Sequence, residues 1–372
     1  MLPFTRPTIG EQEQTAIREV LESGWLASGP RVLEFEQALA AYLGNDVTVR
    51  VFNSGTSALE ASLLAGGIGP GDKVIVPAMS FVATANVVVR VGATPVFVDV
   101  EPVSRNLDVT QIESVLTSEV KAIMPVHFAG RAADMPRIHE IAAASGIQVI
   151  EDAAQAIGTR QSDQPIGASG NPVCFSFHPN KNMTTIEGGA VAVKDEEFVA
   201  RLERLRFHGI QRDLQGHIDV PEWGGKMNLS DVSAALGLVQ LARLDEFNQR
   251  RRELACRYLK RLPRHPALTL PEDVPGHSWH MFCVALDFAQ LNTDRSTFQQ
   301  ALQAQGIATG THYPAIHLFS LYRRYGYKPG DFPVTERIAK QTLTLPLFPQ
   351  MTDEDVDRVC NAFSTLLEAT KA

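Results

Sequence analysis

The segment FSFHPNKNMTTIEGGAVAV, residues 175–193, shows most clearly how the chain is expected to fold. Apolar runs at its two ends predict two buried strands, and the polar turn between them contains Lys181. The pair Gly188-Gly189 before the second run indicates a close approach of backbone segments. A lysine on such a loop either stays in solvent, as most lysines do, or points into a cleft. The segment alone leaves both readings open.

Toward the N-terminus, short apolar runs alternate with helical segments. The runs are VTVRVF (47–52), KVIVP (73–77), PVFVDV (95–100), VKAIMPV (120–126) and IQVIED (147–152). Apolar strands separated by helices predict an α/β fold with a mostly parallel sheet that helices cover on both faces. Ligands of such sheets bind where the carboxyl ends of the strands lead into loops.

Toward the C-terminus the pattern changes. A long helical pattern runs from about residue 230 to about 260, and strand-like pieces such as HSWHMFCVALDF and TLTLPLF follow it with separate helices. We therefore predict a large domain over residues 1–245, which includes the N-terminal segment, and a smaller α+β domain over residues 246–372.

Composition excludes several classes of partner. The chain has 372 residues and a net charge of −8, which disfavours binding of nucleic acid or of an anionic membrane through bulk charge. We find no apolar run of membrane-spanning length and no signal-peptide pattern at the N-terminus. The cysteines lack metal-ligand spacing, which predicts buried thiols in a reducing cytoplasm and no metal site. They are Cys174, Cys256, Cys283 and Cys360.

The segment NSGTSAL (53–59) is a candidate anion site. Small residues between a strand and a helix present backbone N–H groups at the positive end of the helix dipole, where a phosphate binds well. The alternative is a simple N-cap with a tight turn.

The segment VIEDAAQA (149–156) places acids at the end of a very apolar strand. A buried carboxylate is costly unless a cation or donors pair with it, so Asp152 needs a partner such as a protonated ring nitrogen. A helix N-cap is the alternative role for this residue.

These features are more informative together than separately. An anion cradle, Asp152 at a later strand end, and Lys181 with Ser176 on a following segment occur in an order suited to pyridoxal 5'-phosphate. The lysine would hold the cofactor covalently, the acid would keep the pyridine nitrogen protonated, and the cradle with the Ser176 hydroxyl would hold the phosphate.

At these motifs the chain resembles the DegT/DnrJ/EryC1/StrS sugar aminotransferases, a family of pyridoxal-phosphate enzymes of fold type I. The resemblance covers nearly the whole length. It includes SGWLASGP (23–30), NSGTSAL (53–59), SFVATANVVVRVGATPVFVDVEP (80–102), PVHFAG (125–130), EDAAQAIGT (151–159), SFHPNKNMTTIEGG (176–189), GGKMNLSDVSAALG (224–237) and GIATGTHYPAIH (306–317). It implies a mostly parallel mixed sheet sandwiched by helices, with a smaller C-terminal α+β domain.

The resemblance also implies a role for individual residues. Lys181 matches the Schiff-base lysine, Asp152 the partner of the pyridinium nitrogen, and Gln155 the side chain beside the ring hydroxyl. Phe81 matches the aromatic residue that stacks on the ring, although core packing is the alternative for any phenylalanine. The phosphate ligands are matched by Ser54, Gly55, Thr56 and Ser176.

In this family the segment that matches GGKMNL comes from the neighbouring subunit, which implies a homodimer with shared active sites. The segment here departs from the common pattern, and Lys226 and Asn228 are the candidates for the phosphate contact. Trp25, His312 and His317 are candidates for the sugar or diphosphate pocket. For each histidine, a satisfied loop or core position is the alternative.

The predicted reaction follows from Lys181, because family members with histidine at that position are sugar dehydratases. The resemblance implies amino transfer, with L-glutamate as donor, to a keto sugar nucleotide. The motifs are most similar to those of members that give UDP-4-amino-4-deoxy-L-arabinose for lipid A modification. Alternatives are a different keto hexose nucleotide, a cofactor-dependent dehydratase, and a noncatalytic cofactor-binding protein.

Overall fold

The computed structural model describes residues 1–44 and 46–370, in which helices and strands alternate through the N-terminal half of the chain. The helices are α1 (Glu11–Ser23), α2 (Pro30–Tyr42), α3 (Gly55–Ala65), α4 (Ala83–Arg90), α5 (Met135–Ser145), α6 (Glu196–Arg206), α7 (Asp231–Ala242), α8 (Leu244–Arg261), α9 (Arg295–Ala304), α10 (Ser320–Arg323), α11 (Pro333–Gln341) and α12 (Asp353–Ala369). The strands are β1 (Thr48–Phe52), β2 (Lys73–Pro77), β3 (Thr94–Val98), β4 (Val120–Ile123), β5 (Gln148–Val149), β6 (Glu151–Asp152), β7 (Arg160–Gln161), β8 (Gln164–Pro165), β9 (Val173–Ser176), β10 (Gly189–Val193), β11 (Gln211–Arg212), β12 (Ile218–Asp219), β13 (Leu268–Thr269), β14 (Phe282–Leu286) and β15 (Thr342–Leu345).

The central sheet has the strand orders β3-β2-β4-β5 and β1-β10-β9-β6. These two parts are continuous, because β5 and β6 form one strand interrupted only at Ile150, whose N–H donates to the Ile123 carbonyl at 3.0 Å. All neighbouring strands are parallel except β10, which runs antiparallel to both β9 and β1. The predicted mostly parallel, mixed α/β sheet is confirmed.

The reversed direction of β10 keeps the connection from β9 at the carboxyl edge of the sheet. Gly189, at the start of β10, pairs with Ser176 on one side and with Phe52 on the other. A Cβ atom at Gly189 would lie 2.5 Å from the Ser54 carbonyl group, so only glycine fits there. The close backbone approach predicted from the glycine pair is confirmed.

Helices pack against both faces of the sheet because successive strand residues point to opposite sides. Val74 and Val76 of β2 pack in a core with α3, α4 and α6, whereas Ile75 packs on the other face with α5. Helices α2 and α7 cover the remaining part of that second face. The described residues contain no helix that is both long and apolar enough to cross a membrane.

Beyond the central sheet, β13, β14 and β15 form a separate antiparallel sheet. Its apolar face packs against α8, α9 and α12. The helical pattern predicted over about 230–260 is two helices, because the backbone leaves the helical conformation at Arg243. The proposed domain boundary after residue 245 lies in the first turn of α8, and the division itself stays a prediction.

The cysteine prediction holds for three of the four positions. Cys174, Cys283 and Cys360 are buried free thiols. Cys256 is not fully buried, because it lies on a partly exposed face of α8 near the carboxylate of Asp273.

Asp231 connects two of the motifs that stand far apart in the sequence. Helix α2 begins after Gly29, which has no side chain to cap it, and the buried Asp231 carboxylate takes that role. It accepts the backbone N–H groups of Gly29 at 2.8 Å, Val32 at 3.1 Å and Arg31 at 3.2 Å. The segment around residue 229 is thereby held against the start of α2.

We expect Asp231→Ala to lower the free energy of unfolding by about 2–4 kcal/mol, because three N–H groups lose a charged acceptor. Asp231→Asn is the matched control, since it keeps one acceptor oxygen and should lose clearly less. Urea unfolding of the three proteins measures the difference. Equal midpoints for wild type and Asp231→Ala would show that this cap does not stabilise the fold.

Candidate active site

The start of α3 and the end of β9 meet at the carboxyl edge of the sheet. Ser54 caps α3, and its Oγ accepts the Ser57 N–H at 3.0 Å. A Cβ atom at Gly55 would lie 2.7 Å from the Ser176 Cβ, so the glycine allows the helix to begin directly beside that serine. The first N–H groups of a helix have no partner within it, so this corner can bind an anion.

Asp152 lies at the end of β6, next to this corner, and is buried. Its carboxylate accepts the Thr84 hydroxyl at 2.7 Å and the Ala154 N–H at 3.1 Å. Burial raises the pKa of Asp152, while these hydrogen bonds and the positive charge of Lys181 act in the opposite direction.

Lys181 lies in the loop between β9 and β10, in the electrostatic range of Asp152. Its side chain keeps some exposed surface, yet its amine is enclosed by protein. Burial lowers the pKa of Lys181 from its ordinary 10.5 to about 8, and the charge of Asp152 opposes that shift. An amine with this pKa is partly neutral, and therefore nucleophilic, near physiological pH.

Glu151, the other acid of the strand, points to the opposite face. Its carboxylate lies 3.0 Å from His127 Nε2 and accepts the Ser169 hydroxyl at 2.9 Å. The Ala133 N–H donates to His127 Nδ1, so the proton of the ring is on Nε2 and points at Glu151. Burial would raise the pKa of Glu151, but hydrogen bonds from His127, His139 and Ser169 outweigh it and hold the pKa at about 2.

Gln155 lies on the same side as Asp152. Its Oε1 accepts the Ala129 N–H at 2.8 Å, and its Nε2 points at the Tyr313 hydroxyl at 3.4 Å. The Phe81 ring is 55% exposed and lies 6.1 Å, between centroids, from the Tyr313 ring. More than half of the Phe81 surface is thus available to a planar ligand.

His312 lies close to this group of residues. Its Nδ1 is 2.8 Å from the Thr344 hydroxyl, and its ring stacks on Phe4. Burial, with the positive charge of Lys181, lowers the pKa of His312 to about 4, so the ring is neutral at physiological pH.

The structure does not bring every candidate to this place. Trp25 is 59% exposed and lies against Gly29, and no contact joins it to Lys181 or Asp152 within the described chain. His317 is fully buried, 3.1 Å from the Glu336 carboxylate and against Phe332, so its ring has no surface for a substrate in this chain.

Lys226 and Asn228 lie beside the end of β1. Asn228 pairs with Phe52, and the Asn53 N–H donates to the Met227 carbonyl at 2.6 Å. The ammonium of Lys226 is bonded to the Asn228 side chain and lies over the Phe207 ring. Both residues are therefore near the α3 corner of their own chain, and a contact with a partner subunit stays a prediction.

Two residues of the site were not singled out from the sequence. Thr84 lies in the motif SFVAT and Tyr313 in the motif HYPAIH, but their residue types alone indicate no role in the site. A hydroxyl that directly follows a valine-alanine pair, or one that lies between two histidines, has many uses. Only the fold shows that both reach the Asp152 side of the sheet.

Known proteins match this chain in both sequence and fold. The sequence profile of the DegT/DnrJ/EryC1/StrS aminotransferase family matches residues 7–364. Spr1654 from Streptococcus pneumoniae, described as a putative sugar aminotransferase and solved in its PMP form, superposes with a TM-score of 0.94 at 31% identity, covering 99% of this chain and 100% of that one.

Two further solved structures are similar over nearly their whole length. DesV from S. venezuelae is 36% identical with a TM-score of 0.90, covering 96% of this chain and 94% of that one. PseC from Helicobacter pylori, an aminotransferase of pseudaminic acid biosynthesis, is 28% identical with a TM-score of 0.92, covering 99% of each chain.

The residues present fit pyridoxal 5'-phosphate. The glycine-lined corner at α3 suits a phosphate, Phe81 offers an exposed ring, and the buried Asp152 carboxylate has acceptor capacity for a ring N–H. When bound, the cofactor supplies an electron sink that stabilises a carbanion next to the substrate nitrogen.

We expect the Lys181 amine of the cofactor-free protein to become reactive with a midpoint near pH 8, because burial favours its neutral form. Competitive acetylation followed by mass spectrometry of the Lys181 peptide measures the midpoint. Asp152→Asn removes the negative charge that favours the ammonium, so its midpoint should lie at lower pH. A wild-type midpoint near 10.5, or an upward shift in Asp152→Asn, would contradict the assigned environment.

Proposed function

The chain belongs to the DegT/DnrJ/EryC1/StrS aminotransferase family, and from this premise we propose that it transfers an amino group from L-glutamate to a UDP-4-keto sugar. The proposed product is UDP-4-amino-4-deoxy-L-arabinose or a related 4-amino sugar nucleotide for lipid A or another cell-surface polysaccharide. The enclosed Lys181 amine beside Asp152 is the observation that carries the proposal.

Lys181 favours transamination over dehydration because it can act both as nucleophile and as proton carrier. Its lowered pKa gives a sizeable neutral fraction near pH 8, which is the form that accepts a proton from carbon. The sugar dehydratase is the alternative, and the presence of lysine at position 181 disfavours it.

The other residues of the site have positioning roles in this proposal. Thr84 fixes the Asp152 carboxylate, and the Ala129 N–H fixes Gln155 so that its amide nitrogen faces the site. Ser54, Gly55, Thr56 and Ser176 hold the cofactor phosphate, and Phe81 covers the ring.

For the sugar substrate, His312 is the better supported of the two histidine candidates. It is neutral and lies near Lys181, where its ring can accept or donate a hydrogen bond to a sugar hydroxyl. His317 needs a rearrangement around Glu336 before it can reach a substrate.

A homodimer in the cytoplasm completes the proposal. Trp25, Trp223 and Phe207 are large apolar side chains left exposed, and Lys226 lies over the Phe207 ring. Contact with a second copy would cover these rings and would bring Lys226 and Asn228 of one subunit toward the phosphate site of the other.

The proposed reaction is tested with a panel of keto sugar nucleotides incubated with L-glutamate, scored by the mass of the aminated product. We expect a UDP-4-keto pentose or hexose to gain an amine. Lys181→Ala should lower turnover at least about 10³-fold, because nucleophile and proton carrier are lost together.

Lys194→Ala is the matched control, since Lys194 is an exposed lysine paired with Asp46 and its loss should leave turnover unchanged. Amination of other keto sugars only would reject the UDP-4-keto substrate and keep the aminotransferase. Loss of sugar hydroxyl without uptake of nitrogen would favour the dehydratase.

A further inference from the structure

A cavity of about 370 Å³ lies behind the candidate active site, between the loop after β3 and the sheet of β13, β14 and β15. Its volume is in the range of small-molecule sites. Lys181, Asp152 and Ser176 do not line it, and the Phe128 ring, which packs edge-on against Tyr313, stands between the two places. The cavity is therefore separate from the site described above.

Arg105 is the most unusual residue of the cavity wall. Only 6% of its surface is exposed, and its backbone is in the left-handed region with a φ of 62°. The guanidinium donates to the Thr342 hydroxyl at 3.0 Å and to the Cys283 carbonyl at 3.3 Å, and it lies 5.8 Å from the centroid of Phe128. Both acceptors are neutral.

No carboxylate among the described residues forms an ion pair with Arg105. Burial of its charge lowers the pKa of Arg105, which is the sign of a cation without a counter-charge. A buried charge of this kind is costly unless an opposite charge joins it.

The other charges of the cavity wall compensate one another. Arg131 is paired with Glu272 at 3.0 Å, and the charge of Arg337 acts on Asp287. His277 adds no charge at physiological pH, because burial, with the nearby positive charges, lowers its pKa to about 3. One positive charge is left over in the cavity, and it belongs to Arg105.

A purely structural role for Arg105 explains only part of this arrangement. Its two hydrogen bonds join the loop after β3 to β14 and β15, and a neutral donor would do so without burying a charge. A guanidinium has five N–H donors in a planar fork that matches the oxygens of a carboxylate or phosphate. Those not used by Thr342 and Cys283 remain for a ligand.

We propose that this cavity binds a small oxyanion, a carboxylate or a phosphate group, whose charge is neutralised by Arg105. The ligand occupies the space between the loop after β3 and β14, so it holds these two parts of the chain together. Ala129 also lines the cavity, and its N–H donates to Gln155, which gives the occupied cavity a direct contact with the candidate active site.

The test is calorimetric titration of the cofactor-loaded enzyme, in which the phosphate corner at α3 is already filled. Inorganic phosphate and malonate are the two probes, and they distinguish a tetrahedral from a planar oxyanion. We expect at least one of them to bind the wild type, and Arg105→Met to weaken it at least tenfold. Arg323→Met is the matched control, because it removes an exposed positive charge on α10 and should leave the affinity unchanged.

A second variant keeps Arg105 and fills the cavity. Ala285 lines the cavity from β14, so Ala285→Leu should also abolish binding while the fold is kept. Crystals of the wild-type enzyme grown with selenate should show an anomalous peak next to the Arg105 guanidinium. Wild-type affinity retained in Arg105→Met or in Ala285→Leu, a selenate peak only elsewhere, or no heat with either probe would overturn the proposal.

Discussion

The direction of one strand organises the candidate active site. Because β10 runs against its neighbours, its first residue lies beside the last residues of β9 and β1. A parallel β10 would need a crossover of a dozen residues or more and would enter from the opposite edge. The reversed strand lets the connecting loop, residues 177–188, stay at the carboxyl edge, and that loop carries Lys181 to the place where Ser176, Gly55 and Asp152 lie close together.

Burial of opposite charges shifts the pKa values of the titratable groups in the candidate active site. Asp152 and Lys181 are each pushed toward their neutral forms by burial, and each charge moderates the shift of the other. Since Thr84 also bonds to Asp152, the carboxylate has a defined direction before any ligand arrives. Glu151 on the opposite face is held ionised by its own donors, so two adjacent acids have separate roles.

Much of this arrangement could be predicted from the sequence. Apolar runs predict buried strands, and polar residues at the ends of these runs indicate the edge of the sheet where ligands bind. The position of Asp152 at a strand end and of Lys181 between two buried strands could be predicted in this way. The break at Arg243 could not be predicted, because no glycine or proline marks it and the residue is held by a distant contact with Glu13. The roles of Thr84 and Tyr313 could not be predicted for a similar reason, because their hydrogen-bond partners are far away in the chain.

The pairing of β1 with β10 has a consequence for the order of folding. Phe52 pairs with Gly189, so β1 can join the sheet only after β10, a segment that is synthesised much later. Long-range pairing of this kind is slow, because the entropy of closing a large loop is lost before contacts are gained. We expect the neighbouring β2–β3 pair to become protected from hydrogen exchange early in refolding and the Val51 and Ala190 amides to follow. The corner at the start of α3 is then among the last parts of the large sheet to form.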